Sequence, residues 1–137
     1  MRKKTIEEYV ELIYILEQEH GHAHTGTIAA EMDIKAPSVT EMLQKLEKEG
    51  LVEYQSYTGA TLTGKGKKMA RALLEKHRII QEFLELIGID QVTAERDACQ
   101  IEHHVSTGSV RRLEKFVEFL NENPDLLEKF GAVPERK

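Results

Sequence analysis

Apolar residues recur at helical spacing along most of the chain. Ile6, Val10, Ile13 and Leu16 fall on one face, which predicts a helix from Thr5 to about Glu19. Gly21 interrupts the pattern, and a shorter helix follows from Thr27 to Met32 with Ile28, Ala29 and Met32 inward. Asp33-Ile34-Lys35-Ala36 reads as a turn, and Pro37 opens the next helix at its favoured first-turn position. That helix carries Val39, Met42, Leu43 and Leu46 and stops at Gly50. Two β-capable runs, Leu51 to Gln55 and Thr61 to Thr63, flank a Gly-containing turn at residues 57–60 and read as a hairpin. A long helix is expected from Lys67 to about Ile87, ended by Gly88, with two more from about Thr93 to Thr107 and Ser109 to Asn123. The tail after Pro124 holds Leu126, Leu127 and Phe130 in a weak pattern.

Helix, helix, short turn, helix and hairpin, in that order, describe a winged helix-turn-helix. The expected fold class is mainly α: a winged helix-turn-helix over residues 1–72, then an all-helical domain over 73–137. The second helix of such a motif fits a major groove about 12 Å wide. Its first turn offers Lys35, Pro37, Ser38 and Thr40 to bases or phosphates, because short hydroxyls, a lysine and a positive helix end all suit that partner. Lys65, with Lys67, Lys68 and Arg71, would hold the DNA backbone beside the wing. The alternatives are a winged helix used only for protein contacts and, for Ser38-x-x-Glu41, a simple capping box.

Composition narrows the classes. The 137 residues make roughly one domain's worth of chain. At 40% hydrophobic and 31% charged the sequence is that of a globular protein, with no run near the ~20 apolar residues that cross a bilayer. The basic start, Met1-Arg2-Lys3-Lys4, leads into acidic sequence rather than an apolar run, so no signal peptide is expected and the cytoplasm is the expected compartment. Cys99 is the single cysteine, which excludes an internal disulfide and a Cys-rich zinc finger. Aromatic residues at 6%, without Trp, argue against a stacking platform for single strands. The net charge is −5, yet Lys35 to Lys76 holds 8 basic and 5 acidic residues, a local +3, whereas 77–137 holds 8 and 12, a local −4. A basic stretch within an acidic chain suits a small DNA-contact face, and ordinary surface lysines explain it as readily.

The richest chemistry lies in Cys99-Gln100-Ile101-Glu102-His103-His104. On a helix Cys99, Glu102 and His103 stand at i, i+3 and i+4 and share a face, with Ile101 and Val105 opposite, toward a core. Thiolate, carboxylate and imidazole within one turn can hold a divalent transition metal. His77, among Leu73, Leu74, Ile80 and Leu84, is a further candidate ligand, as are Glu8 and Glu11 at i and i+3 on the first helix. Structural readings stand beside each: a capping box for Thr5-x-x-Glu8, a solvated acidic face, a hydrogen-bonded core His77 and a buried hydrophobe for Cys99. His20-x-His22-x-His24 also has metal-binding character, but its Gly-broken connection reads as an exposed loop.

Several stretches together resemble the diphtheria-toxin-repressor family of metal-activated repressors, and especially its manganese-transport-regulator branch. They are Glu7-Glu8-Tyr9-Val10-Glu11-Leu12-Ile13-Tyr14, Ala36-Pro37-Ser38-Val39-Thr40, Leu62-Thr63-Gly64-Lys65-Gly66, Lys76-His77-Arg78 and Ile101-Glu102-His103-His104, in collinear order over roughly residues 5–123. The resemblance implies a winged helix-turn-helix, a helical dimerisation domain, and a bound metal bridging the two. Carried over by position, its ligands are Glu8, Glu11, His77, Glu102 and His103, with Cys99 at a further ligand position. This chain has Cys99 where the manganese branch usually has a carboxylate, and Glu8 where it has Asp. The iron branch has Cys at that position, but Met at Glu8 and no carboxylate at Glu11. Its ancillary site would need a Glu and a His where this chain has Gln81 and Glu95.

The resulting expectation is a homodimeric repressor, not an enzyme, that binds double-stranded operator DNA of metal-uptake genes when loaded with Mn²⁺ or Fe²⁺. Co²⁺, Zn²⁺ or Cd²⁺ would substitute in vitro, and no membrane is involved. The rivals are a winged-helix regulator of an organic ligand or partner protein and a small metalloenzyme. The stripe Val110, Leu113, Phe116, Val117 and Leu120 serves either the dimer interface or the domain's own core.

Overall fold

The computed structural model describes residues 3–131; residues 1–2 and 132–137, the outer ends of the two expected domains, lie outside the described residues. The elements are α1 (Lys3–His20), α2 (Thr25–Met32), α3 (Ala36–Lys48), β1 (Val52–Gln55), β2 (Gly59–Leu62), α4 (Gly64–Leu86), α5 (Gln91–Ile101), α6 (Thr107–Glu122) and α7 (Pro124–Gly131). They fall into two compact units divided between Leu73 and Leu74. The chain is mainly helical with a two-stranded antiparallel hairpin. No described helix is long and apolar enough to cross a membrane.

The first unit packs α1, α2, α3 and the hairpin around Val10, Ile13, Ile28, Val39, Leu43, Leu46 and Val52, each at most 1% exposed. Burying side chains of this size stabilises the unit by roughly 1.5–3 kcal/mol apiece. Asp33, with φ +54°, ends α2 in the left-handed conformation that turns the chain toward α3. Lys35 is the N-cap of α3 and makes no side-chain cap bond, so Ser38 lies inside the helix and the capping box does not form. Thr5 likewise lies inside α1, which begins at Lys3, so Thr5-x-x-Glu8 is no capping box either.

β1 and β2 pair in the register Val52↔Leu62 through Gln55↔Gly59. The hairpin docks onto the α1–α2 connection, where Ala23 and Ala60 exchange both backbone hydrogen bonds at 2.8 Å. Gly59 permits this approach: its φ is +103°, and a Cβ there would run into the Ala23 carbonyl. α4 starts earlier than the expected Lys67 because Thr63 Oγ1 accepts from Gly66 N–H at 3.1 Å and donates to the Gly50 carbonyl at 2.6 Å.

In the second unit the remainder of α4 packs with α5 and α6 around Ile79, Ile80, Ala98 and Val110, flanked by Leu84, Val105 and Leu113. Asp90 caps α5 by accepting from Thr93 N–H at 3.0 Å, and this bond holds its carboxyl below the usual range. Ser106 caps α6 by accepting from Ser109 N–H at 3.1 Å. α5 ends at Ile101 rather than Thr107, and residues 102–104 form a turn. The α6 stripe divides: Val110, Val117 and Leu120 are buried, whereas Phe116 stays 47% exposed.

Candidate metal centre

α4 and the end of α5 bring three expected ligands together. His77 sits on α4, and Cys99 and Glu102 close α5 one turn apart. Glu102 is the C-cap, yet its φ of −56° and ψ of −28° keep the helical twist, so the i, i+3 relation to Cys99 survives the end of the helix. The burial of this turn inverts the sequence expectation. Ile101, expected to face the core, is 40% exposed, while Glu102 is 1% and His103 9% exposed. Only Val105 of the expected apolar pair packs on the core.

His77 Nδ1 lies 3.4 Å from Glu102 Oε1 and 3.7 Å from Cys99 Sγ. Metal–nitrogen and metal–oxygen bonds of about 2.1 Å with a metal–sulfur bond of about 2.3 Å put tetrahedral ligands about 3.4 Å (N···O) and 3.6 Å (N···S) apart. The spacing therefore fits a divalent cation. On its other side, His77 Nε2 lies 3.0 Å from Gln81 Oε1. An amide oxygen only accepts, so Nε2 is the donor in this contact, and in the neutral imidazole that leaves the Nδ1 lone pair toward the thiol and carboxylate. Metal-binding histidines usually have their second nitrogen held in this way.

The surroundings fix these helices. Lys76 Nζ donates to the Val105 carbonyl at 3.0 Å and anchors the turn after α5 to α4. Arg78 joins Glu75 at 2.7 Å and Glu82 and Glu114 at 3.2 Å, linking α4 to α6. The Arg78 hydrogen bond holds the Glu75 carboxyl below its ordinary value, and the same bond, aided by the neighbouring carboxylates, raises the Arg78 guanidinium.

The first unit holds the other candidates. Glu8 is half-buried and pairs with Lys4 at 3.8 Å. Glu11 has a buried Oε2 without a hydrogen-bond partner among the described residues. Glu7, which a solvated acidic face on the first helix would expose together with Glu8 and Glu11, is only 8% exposed. Of the expected DNA contacts, Lys35, Pro37 and Ser38 are exposed at the start of α3 and Thr40 is half-buried. Lys65 donates to the Glu49 carbonyl at 3.0 Å, so its ammonium braces the end of α3. Sequence reasoning missed the role of Gln81, although its i, i+4 spacing from His77 on one helix carried the signal. The His20-x-His22-x-His24 run, expected as an exposed loop, instead has His20 at the end of α1 and a half-buried His22 whose Nε2 lies 2.9 Å from that of His24.

Known proteins resemble both units. The family model for the iron-dependent repressor N-terminal DNA-binding domain matches residues 1–60, and that for the iron-dependent repressor metal-binding and dimerisation domain matches residues 63–131. The HTH-type transcriptional regulator MntR of Lysinibacillus sphaericus is 38% identical over 132 residues, 96% of this chain and 95% of the relative. The solved manganese regulator SloR matches with a TM-score of 0.71 and 36% identity over 83% of this chain and 54% of that one. ScaR with bound Zn²⁺ matches with a TM-score of 0.70 and 32% identity over the same shares. The chain thus spans about half the length of these two solved regulators. With both family models matched in order and a relative similar over nearly its full length, the chain belongs to the iron-dependent repressor family of metal-dependent transcriptional repressors, regulators rather than enzymes.

Proposed function

We propose that this chain represses metal-uptake genes in the cytoplasm, binding double-stranded operator DNA as a homodimer when loaded with Mn²⁺ or Fe²⁺. The observation that carries the reading is the convergence of His77 Nδ1, Cys99 Sγ and a Glu102 oxygen at ligand spacing. His103 and the α1 carboxylates Glu8 and Glu11 complete the proposed donor set. Glu11, with a buried oxygen lacking a hydrogen-bond partner among the described residues, suits that role. A bound cation supplies positive charge that stabilises these carboxylates and the thiolate together. Gln81 keeps Nδ1 of His77 available, and the buried turn at Glu102 and His103 excludes competing water.

Lys35, Pro37, Ser38 and Thr40 meet the DNA at the start of α3, with Lys65 beside the wing. Exposed Phe116 and Phe119, stacked with centroids 6.5 Å apart, offer apolar surface for a second copy. The dimer must match half-sites about 34 Å, or a multiple, apart. Cys99 softens a site otherwise built from hard oxygen and borderline nitrogen, which favours Fe²⁺, Co²⁺ or Zn²⁺ over Mn²⁺ in affinity while leaving Mn²⁺ able to bind.

The test is operator binding by apo, Mn²⁺-loaded and Fe²⁺-loaded protein under anaerobic conditions. Metal is expected to tighten binding more than tenfold, a coupling of ~1.4 kcal/mol. Equal affinity with and without metal refutes the reading. Co²⁺ loading should produce a thiolate charge-transfer band that Cys99→Ser removes; a band absent from the unaltered chain takes Cys99 out of the ligand set.

A further inference from the structure

The triplet His22-Ala23-His24 lies outside the proposed metal centre. Ala23 is fully buried and holds both backbone hydrogen bonds to Ala60, so the middle residue is clamped against the wing. In extended backbone the flanking side chains point the same way, opposite to the anchored alanine. The two rings meet edge to face with centroids 4.3 Å apart and Nε2 atoms 2.9 Å apart. His24 occupies the N-cap position of α2 but makes no side-chain cap bond, so its ring is committed to His22 instead of the helix.

We propose that His22 and His24 form a two-imidazole chelate for a borderline divalent cation, Zn²⁺, Ni²⁺ or Cu²⁺, at the base of the wing. Two nitrogens each about 2.05 Å from a cation lie about 2.9 Å apart at the 90° of square-planar or octahedral Cu²⁺ or Ni²⁺, and about 3.35 Å apart at the tetrahedral angle of Zn²⁺. The observed 2.9 Å contact matches the first pair and opens by a few tenths of an ångström for Zn²⁺. Without a cation one ring donates its Nε2 proton to the other. Binding needs a lone pair on both Nε2 atoms, and the donor ring supplies it by moving its proton to Nδ1, with no net proton release. His22 also lines a recess of about 300 Å³ with Glu53, Gln55 and Thr61, so a carboxylate stands on the same side of the wing. That charge opposes the unfavourable positive end of α2. Imidazole pairs select borderline cations over Mn²⁺ or Mg²⁺, which prefer oxygen. The clamp through Ala23 and Gly59 sets the two residues before any cation arrives, which limits the ordering cost of chelation. His20 stands apart, 3.6 Å from the Glu19 carboxylate.

The experiment titrates Zn²⁺ into the full chain, with histidine ¹⁵N signals read by NMR and total uptake by equilibrium dialysis. The unaltered chain is expected to take up one more equivalent than His22→Ala or His24→Ala, with both Nε2 signals moving at that equivalent. Affinity for it should fall at least tenfold in either variant. His24→Gln, which keeps a polar side chain at the cap position, should show the same loss with unchanged helicity. Equal uptake by all four chains, or Nε2 signals that do not move, overturns the proposal. The Co²⁺–thiolate band of Cys99 is read in the same chains and should be unchanged by the His22 and His24 substitutions; it reports on the other centre, so its absence from every chain counts against Cys99 as a ligand there and not against this site.

Discussion

Gln81 is the sharpest point at which the proposed metal centre can be tested, because it meets the ligand set at the His77 ring without being a proposed ligand itself. Its Oε1 lies 3.0 Å from His77 Nε2 and so favours the neutral tautomer whose Nδ1, the nitrogen beside Cys99 and Glu102, keeps its lone pair. Replacing it with Leu removes the acceptor and keeps a good helix former on α4, so the helix itself should be unaffected. A neutral hydrogen bond contributes about 0.5–1.5 kcal/mol net, and a buried donor left unsatisfied costs about 1–3 kcal/mol. The His77 side chain is 18% exposed, so water recovers part of that penalty. The expected loss is about 1–2 kcal/mol, or roughly five- to thirtyfold in metal affinity. Gln81→Glu should act in the opposite direction, because a carboxylate acceptor strengthens the bond and makes the imidazole a better donor to metal.

Affinity is measured without DNA, by competition with a chromophoric chelator, so that operator coupling does not enter. Long-range ¹H–¹⁵N spectra of the apo chain give the second readout. His77 should be protonated on Nε2 in the unaltered protein and distributed between both tautomers in Gln81→Leu. A merely structural role would change stability without moving that signal. Two results refute the reasoning: Gln81→Leu with metal affinity within twofold of the unaltered chain, or an unaltered His77 protonated on Nδ1.

Two further outcomes follow from the packing. Gly59→Ala places a Cβ against the Ala23 carbonyl at a φ of +103° and should cost about 1–3 kcal/mol in denaturant unfolding while undocking the wing; an unchanged midpoint contradicts the docking. Arg78→Met should lower Tm modestly at neutral pH, since the Arg78 cluster is largely exposed. The Glu75 carboxyl is lowered when folded, so its contribution is present above the ordinary value of 4.5 and is lost as pH falls through the lowered one. The Tm difference between Arg78→Met and the unaltered chain should therefore narrow on acidification, and a constant difference across the acid range argues against the pairing.

The order of elements was legible because each depends on local periodicity and on glycine, proline and turn chemistry. The same local rules erred where a single cap decides a boundary. Thr63 starts α4 early through a bond to Gly66 and another to Gly50, and the second partner is distant in sequence. Ser38-x-x-Glu41 and Thr5-x-x-Glu8 have the capping-box pattern, but both helices begin upstream of their hydroxyl residue. The α6 stripe could not be divided from spacing alone, since only packing separates buried Val117 from exposed Phe116.

The turn after α5 shows why a candidate site can be visible where the fold is not. Pattern reasoning placed Ile101 inside and the polar residues of that turn at a ligand face, and the expected end of the helix was Thr107. The turn instead ends α5 at Ile101, leaves that side chain 40% exposed, and buries a carboxylate and an imidazole at 102 and 103. A buried carboxylate is unfavourable by several kcal/mol unless it is paired, hydrogen-bonded or bound to metal. No hydrophobic pattern predicts such an exchange, because it runs against the burial preferences on which those patterns rest. Breaking a local rule is expected where a site requires groups that the core would otherwise reject. The combination that made Cys99, Glu102 and His103 conspicuous in sequence, ligand-type side chains at i, i+3 and i+4, is therefore also the reason that the helix end and its inward face were misread.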